Sequence, residues 1–108
     1  MDSFEEKIIN KINPGEDLTE KELALVVDYF ETRRDEGERG RWNMEISSLC
    51  EIGQRLFVLN WGQGLTEYQE NEYLYQPIEV FKEKTTEIIP EHTVEVIKYK
   101  DKNGKVLF

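Results

Sequence analysis

RWNMEISSLCEIGQRLFVLNW, residues 41–61, decides the fold. Trp42, Met44, Ile46, Cys50 and Ile52 take five of the six even positions from 42 to 52, with Ser48 in the sixth. Asn43, Glu45, Ser47 and Glu51 fill odd positions, and Leu49 is the exception. Such alternation marks a half-buried strand. Gly53-Gln54 then supplies a two-residue connection with glycine first, as a type II′ turn requires. That turn fixes a register in which paired residue numbers sum to 107, setting Cys50 opposite Phe57, Ser48 opposite Leu59 and Ile46 opposite Trp61. A slip of one position would turn the whole apolar set toward water. On the reverse side Leu49 meets Val58 in a smaller apolar patch.

The 108 residues around this hairpin suit one domain, 1–108. With 38% hydrophobic and 11% aromatic residues the chain has the means to build a core. Its single cysteine allows no internal disulfide, so a reducing, cytoplasmic setting is expected. The opening MDSFEEKIINK lacks a basic segment followed by an apolar one, so no signal peptide of the usual kind is expected. LALVV and LFVL are the longest apolar runs, too short to span a bilayer as a helix.

Net charge is −9, with −6 in residues 1–36, 0 in 37–61, −4 in 62–83 and +1 in 84–108. No positive stripe follows from that distribution, so no direct nucleic-acid partner and no membrane surface are expected.

N-terminal to the hairpin, residues 1–36 read as helical. Ser3 and Glu6 have capping-box spacing, and Phe4, Ile8, Ile9 and Ile12 recur at helical intervals, predicting a helix over 3–12 that Asn13-Pro14-Gly15 stops. Thr19 and Glu22 form a second capping box, flanked by Leu18 and Leu23 as a hydrophobic staple. Leu23, Val26, Val27 and Phe30, extended by Arg34, trace one face of a helix predicted over 20–35. RRDEGERGR, 33–41, reads as a charged connection; its arginines fit no phosphate-binding fingerprint.

C-terminal to the hairpin, a strand is predicted from about Ile78, a break at Ile89-Pro90, and a long strand in HTVEVIKYK. Lys102-Asn103-Gly104-Lys105 predicts a two-residue hairpin turn with pairs summing to 207, placing Tyr99 opposite Phe108 and Asp101 opposite Val106. The expected fold is therefore α+β: two N-terminal helices packed on an antiparallel sheet of about four strands within 41–108, built from hairpins 41–61 and 93–108.

Catalytic groups are sparse. His92 is the only histidine, and Cys50 lies mid-strand among core positions, where a thiol behaves as a small hydrophobe. No metal-ligand spacing, Walker loop, dinucleotide fingerprint or G-x-S-x-G is present, so neither cofactor nor metal is expected.

The distinctive stretch is WGQGLTEYQENEYLYQPIEVF, 61–81, inside a span from Arg55 to Lys82 that holds no basic residue. Glu67, Glu70 and Glu72 alternate there with Tyr68, Tyr73 and Tyr75. Tyrosine gives large contact area at low entropic cost, and clustered glutamates attract lysine and arginine. The stretch reads either as a docking surface for a basic protein partner or as core tyrosines beneath a solvated acidic face. As calcium ligands, Glu67, Glu70 and Glu72 lack the flanking Asp, Gly and carbonyl positions of an EF-hand loop.

LTEYQENEYLYQPIEV, with the W-x-x-G before it, resembles small uncharacterised proteins carried by phages and mobile elements of low-GC Gram-positive bacteria. The resemblance runs from Trp42 onward, carries no known activity, and implies an accessory interaction protein. The leading expectation is a non-catalytic macromolecule-binding protein acting through 61–81. Its rivals are a nucleic-acid mimic that inhibits a DNA-binding protein, a homo-oligomeric structural component paired through the last strand or first helix, and a small enzyme using carboxylates beside Trp61.

Overall fold

Residues 43–64 close into the hairpin that the alternation demands. In the computed structural model, which describes residues 3–66 and 68–108 without the Ser3 side chain, β2 (Asn43–Ile52) and β3 (Arg55–Gly64) pair antiparallel. The ladder runs without a shift from Asn43 opposite Gly64 to Ile52 opposite Arg55. Gly53 alone takes positive φ in the turn (+65°), as type II′ geometry requires. The Ser3–Glu6 capping box lies outside the described residues.

α1 (Ser3–Ile12) and α2 (Glu20–Phe30) cover one face of this hairpin. There Ile46, Cys50, Ile52, Phe57, Leu59 and Trp61 meet Ile8, Leu18, Leu23, Val26 and Val27 in the main core. The second capping box forms: Thr19 N–H donates to Glu22 Oε1 (3.0 Å), and Glu22 N–H donates to Thr19 Oγ1 (3.2 Å). Gly15, at φ +86°, turns the chain after α1.

Trp42 departs from the expected core set. The ladder ends at Asn43, the Trp42 ring belongs to neither apolar cluster, and Arg41 stacks over it at 4.9 Å.

The second correction concerns 31–39. The helix predicted to reach 35 ends at Phe30, and Glu31–Arg39 is an edge strand, β1, antiparallel to β2. Apart from half-buried Glu31, its charged side chains stay exposed while its backbone pairs the outer edge of β2, where buried N–H and C=O groups need partners. Arg34 leaves the helical face to stack over Trp61 at 5.2 Å, and Thr32 Oγ1 donates to the Leu49 carbonyl (3.1 Å). The sheet therefore has five strands, in the order β1-β2-β3-β4-β5.

β4 (Ile78–Ile89) is divided along its length. Ile78, Glu79 and Val80 pair with Val58, Phe57 and Leu56, whereas Phe81–Ile89 pair only with β5 (His92–Lys100). Arg55 clasps Glu79 with two hydrogen bonds, 2.9 and 3.0 Å, at the junction. Beyond it β4 and β5 form a two-stranded ribbon that turns at Pro90-Glu91.

On the sheet's reverse face the Leu49–Val58 patch grows into a second core with Val80 and Tyr99, closed by Leu107 and Phe108. The last turn differs from expectation by one position: Lys100, rather than Asp101, lies opposite Val106. Asp101 Oδ1 accepts the Asn103 and Lys105 N–H groups (2.9 Å each), and only Gly104 takes positive φ. The result is a three-residue loop with glycine in the left-handed position.

Candidate functional site

After β3 the chain doubles back on itself. Gly62 and Glu72 exchange both backbone hydrogen bonds at 2.8 Å, and Gly64 N–H donates to Asn71 Oδ1 at 2.9 Å. Further on, the Gln76 amide clamps Leu18 from both sides, accepting its N–H (2.8 Å) and donating to its carbonyl (3.1 Å). The tyrosine–glutamate segment is thereby tied to the sheet at one end and to the start of α2 at the other.

Pairing with Gly62 turns Glu72 to the reverse face and its neighbour Tyr73 to the other. Tyr73 faces the helix-covered side and stacks on Trp61 at 5.3 Å and 16°; burial pushes its phenol pKa up. It is a packing residue. Glu70 and Glu72 are exposed, Tyr68 is 86% exposed and Tyr75 62% exposed, so all four reach solvent, and of them Glu72 and Tyr75 are brought to one cavity. Glu67 lies outside the described residues.

Glu72 and Tyr75 also border a cavity of about 420 Å³ on the reverse face of β2–β3. Glu45, Ser47 and Asn60 line it, and Leu74, 68% exposed, stands on its rim. Ser47 Oγ donates to Asn60 Oδ1 at 2.7 Å. None of these three β2–β3 residues was expected at a site. The signal lay in the register, since Ser47 opposite Asn60 and Glu45 opposite Gly62 follow from pairs summing to 107.

The rest of the polar chemistry is structural. Trp61 Nε1–H donates to Ser48 Oγ (2.9 Å), Ser48 donates to the Glu31 carboxylate, and Arg34 pairs with Glu31 at 3.1 Å. Burial, with the Glu31 charge adding to it, pushes the Cys50 thiol up to about 12, an inert group. His92 pairs with Ile89 at the ribbon's far end, so the fold does not join it to Cys50. Among the described residues no group of three or more His, Cys, Asp or Glu is placed to hold a metal, and no helix is long and apolar enough to cross a membrane. Comparison with models of known families, with curated proteins and with solved structures finds no match.

Proposed function

We propose that the chain is a non-catalytic binding protein that captures a basic segment of another protein on the surface carrying Tyr68, Glu70, Glu72 and Tyr75. One observation carries this reading: exposed Leu74 and Tyr75 flank a cavity whose wall holds Glu45 and Glu72. A lysine or arginine head entering there meets two carboxylates while its aliphatic stem lies along Leu74 and the Tyr75 ring. No basic residue between Arg55 and Lys82 competes for those carboxylates within the segment. The resemblance to small phage and mobile-element proteins, and a cytoplasmic setting, belong to the same proposal as an accessory role.

The test is a titration with an arginine-containing peptide, followed by amide shifts at low and moderate salt. Binding should move the Asn60, Glu72 and Tyr75 signals, weaken with salt, and fall about tenfold or more in Glu45→Gln/Glu72→Gln, the scale of losing a desolvated charge pair. Unchanged affinity in that double variant, with its melting temperature preserved, would remove this surface from consideration.

A further inference from the structure

The ribbon of β4 and β5 beyond Val80 is unlike the rest of the fold. None of residues 81–98 is buried, and Phe81, Ile88, Ile89, Val94 and Ile97 are all exposed apolar side chains. A two-stranded ribbon without a third strand or covering layer is marginal in water. The chain as a whole is also extended. A folded monomer of 12.8 kDa shows about 6,300 Å² of surface, and this one shows 7680 Å². Its radius of gyration is 15.9 Å, against about 13 Å expected for this length. The excess of about 1,400 Å² exceeds the roughly 800 Å² that each partner gives up in a standard interface.

The two sheet edges differ in how they meet solvent. β1 has seven charged residues in nine and two register shifts, the usual defences of an edge against pairing. β5 has three charged residues in nine, and its ladder with β4 runs without a shift from Phe81–Lys100 to Ile89–His92. Tyr99 directs both its N–H and its C=O outward, to Phe108 and from Leu107 (3.3 and 2.9 Å). In a regular antiparallel ladder alternate residues point the same way, so Thr93, Glu95 and Ile97 also present their backbone groups outward. Among the described residues those three face β4 partners on one side, Ile88, Thr86 and Lys84, and no strand on the other.

We infer that two copies of the chain join through this edge, β5 antiparallel to β5 about a two-fold axis. Charge favours a second copy there. Residues 1–80 hold eighteen acids against eight bases, whereas 81–100 hold four of each, so the ribbon is where two such chains approach without net repulsion. An edge strand is also self-complementary about a two-fold axis, since the same groups face each other in both directions.

Neighbouring groups select the register. An axis at Glu95 sets like charges directly opposite, and an axis at Val96 drives Thr93 of the second copy into the place held by Phe108. An axis at Val94 avoids both. It sets Val94 against Val94 and Glu95 against Thr93, closing four backbone hydrogen bonds across the axis.

Sedimentation and amide exchange of the full chain test this. Through the micromolar range the wild-type mass should rise from 12.8 kDa toward twice that, and added salt should strengthen the association because it screens the acidic bodies. The Thr93 and Glu95 amides should slow about tenfold or more as the dimer fills. Glu95→Pro removes an outward N–H and an exposed ion pair with Lys84 (3.3 Å) that contributes little, so it should keep the monomer's circular dichroism and melting temperature and remain at 12.8 kDa. Val96→Pro removes an N–H that faces β4 and should melt the ribbon, which checks the assignment of inward and outward groups. A wild-type chain that stays monomeric overturns the proposal, as does a Glu95→Pro chain that dimerises like wild type. Protection of Thr93 and Glu95 that appears only when a foreign peptide is added assigns the edge to another occupant and overturns it equally.

Discussion

Gly64→Ala distinguishes a segment held against the sheet from one hanging beyond it. A Cβ built on Gly64 would lie 2.0 Å from the Gln69 carbonyl oxygen and 2.7 Å from its carbon, both backbone atoms that cannot rotate away. The loop must recede by about 1.4 Å to reach ordinary contact. If only the Gly64–Asn71 hydrogen bond yields, the cost is about 1 kcal/mol; if the reciprocal Gly62–Glu72 pair opens too, it approaches about 3 kcal/mol. Gly62→Ala is the matched control, because its Cβ meets nothing nearer than 3.6 Å. Both substitutions restrict the unfolded chain alike, so their difference isolates the loop. Urea unfolding of the two variants should therefore separate them by about 1–3 kcal/mol, with the Glu72 amide losing exchange protection only in Gly64→Ala. Agreement within about 0.3 kcal/mol, with Glu72 equally protected in both, would show that the 65–71 loop is not pinned as described.

Glu22 contributes to the acid limb of stability, beside Glu79, whose carboxyl the Arg55 guanidinium also holds below its ordinary value. The hydrogen-bonded Lys11 ammonium, then the Thr19 N–H, hold its carboxyl down to about 2 from an ordinary 4.5. A depressed carboxyl stabilises the fold fully above the unfolded value and loses that contribution as pH falls from about 4.5 toward 2. Urea midpoints of Glu22→Gln should be lower at neutral pH and flatter across that window than wild type; parallel curves would refute the assignment. Glu91 holds φ +85° after Pro90, where glycine carries no steric cost, so Glu91→Gly should stabilise by about 1 kcal/mol, read by urea unfolding. Cys50 should react with an alkylating reagent only at the rate of global opening, because it is fully buried and its thiol stands near 12; fast labelling of the native chain would contradict the core placement.

The parts of the fold readable from sequence are those where a local signal and its tertiary use coincide. The β2–β3 hairpin carries its own turn and its own two-sided pattern, so register, reverse patch and the main core, Trp42 excepted, all followed. Thr19 and Glu22 are likewise self-contained. β1 was not readable, because Glu31–Arg39 has no apolar period and its arginines suit a helix end as well as an edge. Only the unpaired side of β2 decides between them. The last turn failed for a smaller reason: Asn-Gly offers a two-residue loop, but the Asp101 carboxylate captures two N–H groups and favours three. At the site, the exposure of Tyr68, Glu70, Glu72 and Tyr75 fits the composition of the segment, while the inward turn of Tyr73 depends on pairing with Gly62 that no local pattern announces.

The two surfaces proposed for binding can be separated by salt. The cavity with Glu45 and Glu72 acts by attraction between opposite charges, which screening weakens. The β5 edge joins neutral ribbons carried by acidic bodies, so screening removes a repulsion and strengthens it. Opposite signs of the salt effect in one preparation of the chain require two distinct surfaces. A basic ligand that also strengthened self-association would instead be neutralising the acidic bodies, and would couple the two events without any contact between them.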